Sequence, residues 1–513
     1  MSSATAQLSQ ENEHLRDALA QRDASLDAKE ADLAARDGRI NQLEEIIRLL
    51  RHKQFGSSSE QIPPEQDRLF DTDDDAEEIV DIAEPIAVGA HQRSRRGRAR
   101  LSDDLPRVEV VHDLSDDEKV CAEHHCALVP MGEDTSEQLE FKPAELYVLR
   151  HIQKKYTCPC CIGHVVTAAK PPQPIPKSLA TPSLLAWITV SKYQDALPLY
   201  RQSAIFERLG VHLDRTTLAN WMMASGALLQ PLVNLLWDQV RQARLIHMDE
   251  TTVQVLNEEG KTPQSKSYMW VTTAGPPSKS IVLFHYAPGR SQQIPIDLLG
   301  DYRGALMVDG YAGYEALCQQ QNLVRLGCWA HARRKFVEAK RAQPTGKAGK
   351  PDEVLALIAK LYRVETLNKD ATPKVRHQQR QETALPVLDK LRRWLNKTQP
   401  RTAPGTTLGK ALTYLDNQWP RLVQYVESGE YPIDNNRAEN AIRPFVIGRK
   451  NWLFSQSKRG VEASANIYSI IETAKAHGIN PHQYLEHLFT ELPKATTVAD
   501  FENLLPNTFN NAV

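Results

Sequence analysis

Three acidic residues, Asp249, Asp309 and Glu439, sit in short polar settings suited to holding a divalent metal. Asp249 lies in Leu245-Ile-His-Met-Asp249-Glu-Thr-Thr-Val-Gln-Val-Leu256, where a strand pattern carries a carboxylate into the middle of an apolar segment. Asp309 ends the apolar run Gly304-Ala-Leu-Met-Val-Asp309 and is followed by Gly310 and Gly313. This suits a strand that delivers an acid to a sheet edge where backbone or phosphate must come close. Glu439 falls in Asp434-Asn-Asn-Arg-Ala-Glu439-Asn-Ala-Ile-Arg443, which reads as a helix start. Converging carboxylates repel unless cations lie between them, and hard oxygen ligands favour Mg2+ or Mn2+. Two such ions, roughly 3.5–4 Å apart, activate an attacking oxygen and stabilise a leaving one. Phosphoryl transfer is the chemistry this trio suits.

Each acid also has a plainer reading. Asp249 and Asp309 fit turn or cap positions at strand ends. Asn436-Arg-Ala-Glu439 fits a capping box with Asn436 as N-cap and Glu439 at N3, and Glu439 could pair with Arg443 one turn on. The order favours the metal-binding reading: an acid on a first strand, an acid on a later strand, then an acid on a helix.

Basic residues accompany the acids. His331 and Arg333 lie on a helix expected from Ala330 to about Ala342, placed to orient a phosphate. Past Glu439 come Arg443, Arg449, Lys450, Lys458 and Arg459 with Trp452 and Phe454 between them, a composition that grips phosphate backbones and stacks on bases. Phe454 is expected in the core. Upstream, Leu199–Gly210 and Val211–Trp221 read as a helix, a glycine turn and a second helix capped by Asp214. They resemble a helix-turn-helix that would offer Arg215, Thr216 and Asn220 to a DNA groove, although a plain helical hairpin fits equally.

A second metal signal is softer in chemistry. Cys158 and Cys161 have the two-residue gap that lets one turn present two thiolates, and Cys121 with Cys126 supply a looser pair, with His124 as an alternative ligand. Paired cysteines in a chain expected to be cytoplasmic favour structural Zn2+ over disulfides. Cys318 and Cys328 read as ordinary core residues.

These residues need several elements to position them. The 513 residues, 41% hydrophobic and 25% charged, suit a soluble chain of about two to four domains with no membrane-spanning segment and no secretory signal. Residues 1–53 read as a coiled-coil helix, with Leu19, Leu26, Leu33, Ile40 and Ile47 every seven residues and an imperfect companion seam interrupted by Arg22, Lys29 and Arg36; a parallel dimer follows. Residues 54–104 form a flexible linker. It carries an acidic block at 71–78 and five arginines within Arg93–Arg100, suited to DNA phosphates or simply to solvent. A zinc-binding module is expected over 105–168 and helices over 177–243. An α/β catalytic domain over 244–460 has five strands, with a helical insertion at about 345–428 ahead of the third acid. A helical element spans 461–513, with Gly478 ending one helix and Asn480-Pro481 starting the next.

The zipper, the cysteine pairs, His-Met-Asp249-Glu-Thr, Val-Asp309-Gly-Tyr, Cys328-Trp-Ala-His331-Ala-Arg-Arg-Lys-Phe and Asp434-Asn-Asn-Arg-Ala-Glu439-Asn-Ala-Ile-Arg-Pro together resemble transposases of the insertion sequence 66 family over nearly the whole chain. The resemblance implies a ribonuclease H-like domain interrupted by a helical insertion, with an Asp-Asp-Glu triad at Asp249, Asp309 and Glu439. It also implies DNA as partner and accessory proteins from the same element. The first cysteine pair departs from the family's commoner two-residue gap.

Overall fold

The computed structural model describes residues 2–55, 146–157, 165–343 and 349–509. Cys121, His124, Cys126, Cys158, Cys161 and the Arg93–Arg100 block lie outside the described residues. The chain divides into two compact units, residues 1–80 with 168–513, and residues 81–167. In the smaller unit, β1 (Lys155–Thr157) pairs antiparallel with β2 (Val165–Thr167), Tyr156 opposite Val166.

The larger unit begins with α1 (Ser2–Phe55), one unbroken helix. Leu19, Leu26, Leu33, Ile40 and Ile47 are all exposed along it. Its last turns meet the rest of the unit through two hydrogen-bonding residues. Glu45 accepts from the Thr407 amide and hydroxyl, each at 3.0 Å, and Arg48 Nε donates to the Ala342 carbonyl at 2.7 Å.

The helices α2 (Pro182–Tyr193), α3 (Leu199–Arg208) and α4 (Arg215–Arg241) follow. Gly210, at φ +81°, makes the turn after α3, and Asp214 caps α4 by accepting from the Thr217 amide at 2.9 Å. Both features match the sequence reading. However, α4 is 27 residues long, and its Leu218, Trp221, Met222, Leu229, Leu232 and Leu236 belong to the same apolar core as the sheet. This hairpin is therefore built into the core of the larger unit.

Next come β3 (Leu245–Asn257), β4 (Lys266–Ala274) and β5 (Ile281–Ala287), then α5 (Gln293–Leu299), β6 (Ala305–Val308), α6 (Gly313–Gln321) and β7 (Val324–Gly327). All five strands fall where alternation and apolar runs put them. The sheet runs β5-β4-β3-β6-β7, antiparallel across the first three strands and parallel across the last three. Helices α5 and α6, and the short β8 (Ser455–Ser457) paired to the far end of β3, were not evident in the sequence.

After α7 (Trp329–Arg341) the helices α8 (Lys350–Leu367), α9 (Pro373–Gln379), α10 (Leu385–Thr398) and α11 (Thr407–Leu422) form the expected insertion. It has its own core, in which Leu357, Ile358, Leu388, Leu391 and Leu415 pack with Trp329 and Phe336 of α7. Finally come α12 (Asn436–Trp452), α13 (Lys458–Ala476), α14 (Pro481–Glu491) and α15 (Val498–Glu502). Gly478 takes φ +72° after α13, and Asn480 caps α14, as read from the sequence. The result is a mixed α/β architecture, mostly helical, around a central mixed sheet. No helix among the described residues is long and apolar enough to cross a membrane.

Candidate active site

The parallel register sets the first two acids side by side. Leu245, Ile246 and His247 of β3 lie beside Ala305, Leu306 and Met307 of β6, so two residues further on Asp249 faces Asp309. Strand β6 stops at Val308, whereas β3 continues, leaving that edge of β3 for another element to fill. The start of α12 does so. The Asn435 amide donates to the Met248 carbonyl at 2.8 Å, its carbonyl oxygen meets His247 Nδ1 at 3.1 Å, and its backbone N–H donates to Cys328 Sγ at 3.2 Å. Glu439, one turn into α12, is thereby turned toward the two aspartates.

That arrangement corrects the capping-box reading of Asn436 and Glu439. The N-cap is Asn435, whose side chain is used on β3, and Glu439 lies one position beyond N3. The helix start is held instead by Asp434, which accepts from the Asn436 amide at 3.2 Å and from the Tyr362 hydroxyl of the insertion at 3.0 Å. Glu439 is free of capping duty.

The electrostatics are those of buried acids crowded together. Burial raises Asp249 well above the usual carboxylate range, and the charges of Glu250, Glu439 and Asp309 raise it further. Burial pushes Glu439 up to about 8; Asp434 and Asp309 add to the rise, while Arg334 and Arg443 oppose it. A divalent cation would reverse these shifts, so the donor set fits Mg2+ or Mn2+.

Around the trio lies a shell that was not picked out in the sequence. Glu250, next to Asp249, is buried and bound by Arg290 Nη2 at 2.5 Å and by the Tyr314 hydroxyl at 2.5 Å. Burial and Asp309 push it up to about 7 against the pull of Arg290. Arg290 also reaches Asp309 at 3.8 Å and stacks 3.8 Å over the Tyr311 ring. Behind Asp309, the buried Arg325 of β7 donates to the carbonyls of Asp309 and Tyr311 at 3.1 and 2.8 Å and pairs with Glu315 at 2.6 Å; Arg421 of α11 shares that carboxylate. A side chain at Gly310 would collide with Tyr414 of α11, so this glycine admits the insertion against the Asp309 loop. The visible signals were the Glu beside Asp249 and the tyrosines after Asp309, but pairing to Arg290 and Arg325 has no local sequence mark.

Cys328, expected to be ordinary core, is buried but sits at the cap of α7 with its sulfur 4.0 Å from Glu439 Oε1. His331 Nδ1 is 3.4 Å from the same oxygen, and Arg334 is 3.6 Å from Oε2. Burial, with Arg334 and Lys335 nearby, holds the His331 imidazole down to about 3.

The comparisons with known proteins bear on this geometry. Residues 177–463 match the pattern described as "Transposase IS66 family". The chain belongs to the IS66 transposase family. In this transposase, residues 42–110 match "Transposase C of IS166 homeodomain", 118–161 match "zinc-finger binding domain of transposase IS66" and 469–507 match "IS66 C-terminal element". The zinc-finger match spans all five cysteine and histidine ligands read from the sequence. The transposase is 30% identical to the uncharacterized protein y4qI of Sinorhizobium fredii (strain NBRC 101917 / NGR234) over 92% of its own length and 89% of that protein's. It is also 30% identical to y4jD of the same strain, over 82% and 83% of the two chains.

Of the residues of the transposase expected to touch DNA, Arg215, Thr216, Asn220 and Lys450 are exposed, and Arg333 and Arg443 are partly so. Arg449 turns inward instead, binding the Thr252 hydroxyl at 2.8 Å and the Thr252 carbonyl, because the second half of β3 offers it acceptors. The two aromatics exchange their expected roles. Phe454 is exposed, whereas Trp452 packs on Phe445 with ring centres 5.5 Å apart.

Proposed function

We propose that this transposase cuts the ends of its insertion sequence and joins them to target DNA by metal-dependent phosphoryl transfer, with Asp249, Asp309 and Glu439 as ligands. The observation that carries this reading is the convergence of three acids drawn from β3, the end of β6 and α12. Bound Mg2+ or Mn2+ would activate the attacking oxygen and stabilise the leaving one. Asp249 and Asp309 would share the ions from adjacent strands, with Glu439 completing the site. Arg290 and Arg325 hold the Asp309 loop in position. Strand cutting at an element end and attack of the freed 3'-hydroxyl on target DNA are both phosphodiester exchanges, so one set of acids serves both.

The sheet order and the helical insertion before the third acid support a ribonuclease H-like reading of the domain. Arg215, Thr216 and Asn220 at the exposed start of α4 are assigned to DNA, as are His331, Arg333, Arg443 and the exposed Lys450 in the last turn of α12. The exposed heptad leucines of α1 support a dimer, and Cys121, Cys126, Cys158 and Cys161, with His124 in reserve, are assigned to structural Zn2+. Accessory proteins of the same element remain part of the proposed assembly.

The test is incubation of the purified chain with Mg2+ or Mn2+ and a plasmid bearing the gene's native flanking DNA. Discrete nicks at those flanks and joined products, both lost in Asp309→Asn, are expected. Nicks without joined products would reduce the activity to a nuclease, and cutting retained by the variant would remove Asp309 from the site.

A further inference from the structure

We infer that Cys328, His331 and Glu439 form a separate transition-metal site, selective for Zn2+ or a similar borderline ion, that competes with the catalytic metals for Glu439. The sulfur of Cys328, a ring nitrogen of His331 and a carboxylate oxygen of Glu439 all lie within 4.8 Å of one another. The two contacts to Glu439 Oε1 are 3.4 Å from His331 and 4.0 Å from Cys328. A tetrahedral Zn2+ with bonds of about 2.0–2.3 Å separates its ligands by roughly 3.3–3.7 Å, so binding needs only a small contraction.

Two further observations point to a ligand. Glu439 is 6% exposed and the His331 Nδ1 atom is buried, and the two meet only at 3.4 Å, beyond a good hydrogen bond, with Arg334 3.6 Å from Oε2 on the other side of the carboxylate. Cys328 caps α7 and His331 lies in its first turn, so the two-residue gap puts both on one side of the helix, as in paired zinc ligands. Thiolate and imidazole donors discriminate against Mg2+, which prefers oxygen. Binding would release the Cys328 thiol proton to solvent, and three protein ligands would leave a fourth position to water.

The site's existence does not depend on the Mg2+ assignment of Glu439. Its consequence does: an ion held here takes a carboxylate from the catalytic group, making the transposase sensitive to Zn2+.

The experiment uses the full chain given one molar equivalent of Zn2+ for its four-ligand zinc module, freed of excess Zn2+, and then titrated with Co2+. A thiolate-to-cobalt absorption band that appears in wild type and is lost in Cys328→Ser is expected. His331→Gln, at a partly exposed position, should weaken Co2+ binding at least ~10-fold while retaining the far-ultraviolet circular dichroism of wild type. The Asp249→Asn chain should keep the band, separating this site from the catalytic one. Absence of the band in wild type, or its persistence in Cys328→Ser, would overturn the proposal. Zn2+ inhibition of cleavage that is equal in wild type and His331→Gln would overturn the competition with catalytic metal while leaving the triad assignment standing.

Discussion

The side-chain amide of Asn435 donates to the backbone carbonyl of Met248 at 2.8 Å, joining the start of α12 to the strand that carries Asp249. This bond forms where β6 has ended and β3 has not, so it occupies an edge acceptor while bringing Glu439 to the aspartates. Asn435 is fully buried and also holds His247, whose imidazole burial lowers to about 3.

Asn435→Ala should therefore cost on the order of 3 kcal/mol, because the Met248 carbonyl and the His247 ring lose their partner without access to water. Urea unfolding measures it. A midpoint within error of wild type would show that the anchor does not hold the helix.

Removing charge from the cluster should have the opposite sign. In metal-free protein, Asp249→Asn is expected to raise the thermal midpoint at pH 8, since it relieves repulsion from Glu250, Asp309 and Glu439. Added Mg2+ should then stabilise wild type more than the variant. Equal stabilisation of both would place the metal elsewhere.

The same repulsion gives a pH dependence. Glu250 and Glu439 have folded-state values raised to about 7 and about 8, above those of an unfolded chain, so the fold favours their protonated forms. Their contribution is complete below about pH 4.5 and is lost as pH rises toward 8. In chelator, the difference in stability between wild type and a Glu250→Gln, Glu439→Gln double variant should widen over that window, with wild type the weaker at high pH. A constant difference would contradict the assignment.

Gly226 of α4 tests the close packing of the helices behind the sheet. A Cβ there would stand 2.5 Å from that of Ala463 on α13, so Gly226→Ala should destabilise by about 1–3 kcal/mol despite its better helix propensity. Gly38→Ala on α1, where a Cβ meets nothing, is expected to favour the helix by about 1 kcal/mol. Thermal melts of the two variants should move in opposite directions.

The zipper makes a separable prediction. Replacing Leu26 and Leu33 by lysine should convert a dimer to a monomer in light scattering and leave the melt of the sheet-centred core unchanged, since both leucines are exposed within one chain. A wild-type monomer at micromolar concentration would remove the dimer.

Periodicity and breakers were enough to locate the strands that carry Asp249 and precede Asp309, the long zipper helix, the cap at Asp214 and the insertion, because each depends on residues close together in the chain. The acids stood out for the same reason: a carboxylate at the end of an apolar run is conspicuous locally. Which neighbours those acids have was not legible. Arg290 reaches back to Glu250, Arg325 holds the Asp309 loop, and Asn435 crosses to Met248, contacts made between segments that only sheet register and helix packing bring together. The capping-box reading of Glu439 failed on this point, since local spacing allowed it and the open edge of β3 claimed Asn435 instead. Arg449 and Phe454 followed the same logic, one drawn inward by acceptors on β3 and the other left exposed while Trp452 packs on Phe445. Residue type set what chemistry was available, and tertiary structure decided which groups lost water and met one another, which is what sets their charge and their use.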